Sequence, residues 1–149
     1  MGEQKTKYTG NYVLDSYALL CYLKDEPGAE IVKELLYEAR NGNVNLYLSW
    51  INLGETYYII QRERGRELAV AAVDLIMAWP VRLSEPSAKQ VLAAGDIKAK
   101  YPISYADAFA VSLALELNAY LVSGDPEFDV LPGELIKIKP LPRKKETQA

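Results

Sequence analysis

The sequence contains no histidine and a single cysteine, Cys21. Without imidazole there is no Ser-His-Asp or Cys-His hydrolytic machinery and no His-ligated zinc site. One thiol forms no internal disulfide and no thiolate cluster. It suits a reducing compartment, so a cytoplasmic protein is expected. No apolar run approaches the ~18 residues that cross a membrane. The first ten residues, MGEQKTKYTG, lack the apolar stretch of a secretory signal. Basic charge is also short: 20 acids face 17 bases, for a net charge of -3. Bulk electrostatic capture of nucleic acid is thereby excluded, and any such binding needs a local basic patch or a metal ion. What remains is the chemistry of carboxylates, hydroxyls, lysine and arginine.

Apolar residues make up 50% of the 149 positions and charged residues 25%, which is the composition of one globular domain. Residues 1–10 read as a polar lead, 11–140 as the domain and 141–149 as a polar basic tail. Short apolar runs predict strands over 12–14, 45–49, 81–83, 119–123 and 135–138. Helical patterns fall between them, over 16–23, 29–41, 50–64, 66–79, 86–100 and 105–118. Asn41-Gly42 stops the second, Gly65 separates the third from the fourth, and Ser84 is a candidate cap for the fifth. Such alternation predicts an α/β fold whose parallel sheet is covered on both faces, with ligands beyond the C-terminal strand ends.

Asp15 and Asp125 fall at two of those ends, though each has a local use, Asp15 as a helix cap and Asp125 in a Gly-Asp-Pro turn. Asp107 fits a capping box with Ser104, yet its helix has almost no polar side. A buried carboxylate there needs a neutralising partner or a polar cavity. Glu55 sits on the helix after the second strand among Ile51, Tyr58 and Ile59, where an ordinary exposed glutamate is equally consistent with the pattern. A parallel sheet can bring all four to one rim, where their mutual repulsion recruits cations. Oxygen ligands alone favour Mg²⁺ or Mn²⁺, ions that activate water and steady a phosphodiester transition state.

Four segments in order carry a resemblance. They are Tyr12-Val13-Leu14-Asp15-Ser16-Tyr17-Ala18-Leu19-Leu20, Ile51-Asn52-Leu53-Gly54-Glu55-Thr56-Tyr57-Tyr58, Ile103-Ser104-Tyr105-Ala106-Asp107-Ala108-Phe109-Ala110 and Leu121-Val122-Ser123-Gly124-Asp125-Pro126-Glu127-Phe128. Together they resemble the PIN domain family, and within it the VapC-type toxin ribonucleases of prokaryotic toxin–antitoxin pairs. The resemblance runs from about residue 11 to 139. It implies a three-layer α/β/α fold with a central, mostly parallel sheet of about five strands. It also implies acids gathered around one or two Mg²⁺ or Mn²⁺ ions that cleave single-stranded RNA. The family's metal-site acids fall on Asp15, Glu55, Asp107 and Asp125, with Ser123 where relatives often carry Thr. Asp129 is a further acid at a variable position, with a surface loop role the better expectation. In the implied mechanism the aspartates hold the metal, Glu55 completes the shell or orients water, and the leaving oxygen takes its proton from solvent. A homodimer and an antitoxin that blocks the site are implied as partners.

Substrate contacts are less sharply specified. Ser16 and Ser123 are candidates for contact with phosphate or for orienting ligands, with local helix capping the better expectation for Ser16. Arg62, Arg64 and Arg66 are candidates for gripping the RNA backbone, against a merely solvated helix end. Arg143, Lys144 and Lys145 offer a basic hook or a solubilising tail. Tyr12, Tyr47 and Tyr120 read as core, whereas Tyr57, Tyr58 and Trp79 suit a protein interface. The competing reading is a non-catalytic PIN-like module that binds or scaffolds RNA. Aspartyl-phosphatase and receiver-domain readings lack their required acids, since Asp15 is not followed by Asp-x-Asp spacing and Val81-Arg82-Leu83-Ser84 ends without Asp. A dinucleotide binder lacks the Gly-rich turn after the first strand.

Overall fold

The computed structural model describes residues 8–143. Five parallel strands form one sheet in the order β3-β2-β1-β4-β5. They are β1 (Gly10–Leu14), β2 (Val44–Ser49), β3 (Arg82–Ser84), β4 (Tyr120–Ser123) and β5 (Ile138–Pro140). Six helices flank it: α1 (Ser16–Leu23), α2 (Ala29–Arg40), α3 (Trp50–Arg64), α4 (Arg66–Met77), α5 (Ala88–Lys100) and α6 (Tyr105–Glu116). The result is the expected three-layer α/β/α arrangement, with the sheet parallel throughout.

Strand alternation builds two cores. In β1, Tyr12 and Leu14 face α1 and α2, packing with Leu19, Val32, Leu35 and Leu53. Val13 points the other way, to Ala94, Ile97, Leu113 and Leu121 beneath α5 and α6. The near absence of a polar side on α6 is explained by its position. Asp107 through Ala114 are buried without interruption, because α6 lies against both the sheet and its neighbouring helices. Gly42 (φ +78°) and Gly65 (φ +94°) supply the left-handed breaks after α2 and between α3 and α4.

Several boundaries differ from expectation. The cap of α5 is Ser87, whose Oγ accepts from Gln90 N at 3.1 Å, while Ser84 belongs to β3. The strand expected over 135–138 lies later, at Ile138–Pro140. Ile136 is instead buried in the second core, and the short strand containing Pro140 sits at the sheet edge, where a missing N–H is tolerated. Packed structure also reaches past the expected domain limits. Tyr8 is buried, as is Leu141, which donates from its backbone N to Ser123 O at 3.0 Å. Trp79 packs edge-on against Tyr22 inside the fold, and Tyr120 is 39% exposed while stacking on Tyr12.

At the C-terminal end of β4 the chain passes through a tight place. A Cβ on Gly124 would lie 2.7 Å from Tyr17 Cε1 and 2.8 Å from the Leu141 carbonyl oxygen. Since one of these neighbours is backbone, Gly124→Ala should cost about 1–3 kcal/mol in urea unfolding. An unchanged unfolding midpoint would show that the Tyr17 ring and the last strand give way freely.

Candidate metal centre

The sheet changes direction at β1. Strands β2 and β3 build outward on one side, β4 and β5 on the other. A crevice opens at such a switch point, beyond the C-terminal ends of the two central strands. Leu14 pairs with Val122 across β1 and β4, so Asp15 and Ser123 emerge side by side. Helices α1, α3 and α6 all begin on this edge; Asp15 immediately precedes α1, and α3 and α6 carry Glu55 and Asp107.

Asp15 caps α1. Its Oδ1 accepts from Ala18 N at 2.8 Å, while Oδ2 is buried without a hydrogen-bond partner. Burial pushes the Asp15 carboxyl up to about 7. The Ser123 hydroxyl and the Ala18 amide pull the other way, and the Asp125 and Glu55 charges add to the rise. Asp107 lies in the first turn of α6. Ser104 Oγ caps that helix by accepting from Asp107 N at 3.1 Å, so half of the capping box is present. The Asp107 carboxylate turns instead toward Asp125 and Glu127, and ligand oxygens of these three lie within 4.8 Å of one another. Burial, a hydrogen bond shared with Glu127 and the charges of Asp125, Asp15 and Glu127 hold Asp107 far above the usual carboxylate range. The charges that act most strongly on Asp15 and Asp107 are those of neighbouring acids.

The expected acids therefore converge, with one addition and one subtraction. Glu127 completes the tight trio, although the sequence reading gave it no role. Its signal was the spacing: Asp125 caps the short 3-10 turn Pro126–Val130, accepting from Glu127 N at 2.9 Å, which brings the residue two positions on back beside the cap. Asp129 turns away to an exposed ion pair with Arg143 at 2.7 Å. Glu55 is half-buried and outside the trio, its charge reaching Asp15.

The other candidates separate clearly. Ser123 is buried, its Oγ accepting from Asp125 N at 3.0 Å, and so shapes the acidic turn. Ser16 is neither a cap nor open to a ligand. Its buried hydroxyl donates to Asn52 O at 3.2 Å. Arg62 is exposed two turns beyond Glu55, over the Tyr58 ring at 5.0 Å, and Arg64 and Arg66 are exposed near the same helix end. Arg143 is no free hook, since its Nε donates to Gly124 O at 2.8 Å. Lys144 and Lys145 lie outside the described residues.

A match to the PIN domain family spans residues 12–134. The chain belongs to the PIN domain family. Solved structures agree on the fold. The VapBC2 complex from Rickettsia felis, bound to a DNA fragment from its promoter, gives a TM-score of 0.70 at 20% identity over 89% of this chain and 99% of that one. VapC20 of Mycobacterium tuberculosis, a sarcin-ricin loop cleaving toxin, gives 0.63 at 19% identity over 79% and 92%. PAE2754 from Pyrobaculum aerophilum gives 0.61 at 13% identity over 87% and 89%. No curated protein sequence matches this chain closely enough to count as a relative. Among the described residues of this PIN domain, no helix is long and apolar enough to cross a membrane.

An all-oxygen cluster beside an orphaned buried carboxylate oxygen fits a hard divalent ion. Without one, protons must do that work. The folded Asp15 pKa near 7 exceeds the unfolded value of 3.8. Its contribution to stability is therefore fully present below pH 4 and lost as pH rises through 7. In EDTA, stability should fall between about pH 4 and pH 7, with Asp15 contributing on the order of 4 kcal/mol. Asp15→Asn, which keeps the cap acceptor, should flatten that slope in urea titrations. An unchanged slope in the variant would contradict this assignment.

Proposed function

We propose that this PIN domain is a metal-dependent endoribonuclease acting on single-stranded or structured RNA, and the toxin of a toxin–antitoxin pair. The observation that carries the reading is the trio Asp107, Asp125 and Glu127, with ligand oxygens within 4.8 Å of one another, together with Asp15, whose Oδ2 is buried without a partner and whose charge acts on Asp107, at the sheet's switch point. Asp15, Asp107, Asp125 and Glu127 would hold Mg²⁺ or Mn²⁺. The ion supplies Lewis acidity, lowering the cost of deprotonating water and offsetting charge that builds on the phosphate oxygens.

The chain's own residues do the rest. Glu55, half-buried and just outside the trio, orients the attacking water by accepting its hydrogen bond. Ser123 holds the Asp125 turn in place through its bond to Asp125 N. The attacking water gives up one proton to solvent as its oxygen bonds to phosphorus, the bond to the leaving ribose oxygen breaks, and that oxygen takes a proton from solvent, since no histidine is present. Exposed Arg62 is suited to a phosphate farther along the strand.

The likeness to toxins crystallised with their antitoxins supports a cognate antitoxin as partner, and a homodimer is the working form that the family resemblance implies. Exposed Trp50, Tyr58, Leu68 and Leu75 on α3 and α4 offer apolar surface for such contacts.

Cleavage of a mixed-sequence single-stranded RNA tests the reading. Cutting should require Mn²⁺ or Mg²⁺ and stop in EDTA. Asp107→Asn should reduce it about 100-fold or more at unchanged fold, and Glu127→Gln should weaken it in the same direction. A well-folded protein that neither binds Mn²⁺ nor cuts RNA would overturn the reading and leave a non-catalytic binding or scaffold module.

A further inference from the structure

Asn52 is fully buried in the first turn of α3, a position where a leucine would bury more cheaply. Its Nδ2 makes the bonds, while Oδ1 is buried without a hydrogen-bond partner. Nδ2 donates to the Ala106 carbonyl at 3.2 Å and to Ser16 Oγ at 3.4 Å. The Ser16 hydroxyl donates in return to the Asn52 carbonyl at 3.2 Å, and Thr56 Oγ donates to that same carbonyl at 2.9 Å. Ala106 directly precedes Asp107, Ser16 directly follows Asp15, and Glu55 stands three residues beyond Asn52. One side chain thus joins the starts of α1, α3 and α6, the three helices that carry or directly follow these acids.

The acids have reason to part. Like charges about 5 Å apart repel, and helices packed at their N-terminal turns can relieve that repulsion by splaying. We infer that Asn52 is a positioning residue for the metal site, tying the first turns of α1 and α6 to α3 and so setting the spacing of Asp15 and Asp107. It touches neither substrate nor ion. The inference rests on the metal-dependent reading above, and its effect is on how well the acids are gathered before an ion arrives. Neutral hydrogen bonds suit the task, because a lysine here would itself compensate the acids and compete with the cation.

Mn²⁺ affinity, measured by calorimetry beside the thermal midpoint in EDTA, separates positioning from mere stability. Asn52→Leu keeps the bulk and removes every side-chain bond, and should weaken Mn²⁺ binding about 10- to 100-fold. Ser16→Ala breaks the α1 arm alone and should weaken binding by a smaller factor, which keeps the test open should Asn52→Leu fail to fold. Ser112→Ala removes a buried hydroxyl bonded to Gln90 O, away from the acids, and should alter the thermal midpoint without altering affinity. Parent-like affinity in folded Asn52→Leu, or in Ser16→Ala where that is the variant that folds, overturns the inference and leaves the metal reading standing. A parent protein that binds no Mn²⁺ overturns both.

Discussion

The pairing of β1 with β4 is the constraint on which the site depends. There the connections that follow two neighbouring strands lie on opposite sides of the sheet, and an acid ending one strand meets an acid beyond the end of the other. The pair is anchored by Val13, Leu14, Leu121 and Val122, all fully buried and divided between the two cores. That packing holds the backbone still while the side chains at its end repel one another. At 4.8 Å and an effective dielectric near 20, each charged pair costs about 3 kcal/mol. A cluster of this kind survives only on a frame whose own packing exceeds that cost.

Helix termini share the load. Helices α1, α3 and α6 each point their N-terminal end at the crevice, where unsatisfied N–H groups favour negative charge. Asp15 takes direct advantage by capping α1, and Ser49 and Ser104 cap the other two, so the acids on those helices are released from local duty. This assistance is incomplete. Burial still holds Asp15 and Asp107 above the ordinary carboxylate range. The remaining imbalance is met either by protons or by an external cation, and the two compete for the same oxygens.

Much of this was legible from the residues, and the reasons are physical. Strand–helix alternation and the helix stops at Asn41-Gly42 and Gly65 are local signals, so the order of elements followed from them. The apolar circumference of α6 foretold burial, and burial made Asp107 conspicuous. What escaped were features set by distant parts of the chain. The apolar pair Leu135 and Ile136 looked like strand, but an edge strand pairs on one side only, and Ile136 is taken up by the core beneath α6. Ser16 looked like a cap, whereas its partner is Asn52 from a helix 36 positions away. Glu127 required knowing that Asp125 starts a 3-10 turn rather than an open loop.

The acidic turn shows how the protein sorts its charges. Asp125, Glu127 and Asp129 alternate along one short stretch, and among the described residues Asp129 is the one of the three that forms an ion pair. Arg143 supplies it while its Nε holds the Gly124 carbonyl, so one guanidinium fixes the turn from outside and neutralises the acid on that side. The ion pair is solvent-exposed and contributes little to stability by itself. Its larger consequence is directional. With Arg143 drawn toward Asp129 and Gly124, the inner pair Asp125 and Glu127 joins Asp107 as a cluster whose mutual repulsion a proton or an external cation relieves. A cation provided by the chain at that point would have satisfied the acids permanently. Placing it one step outward secures the turn and leaves the inner oxygens for a ligand from solution.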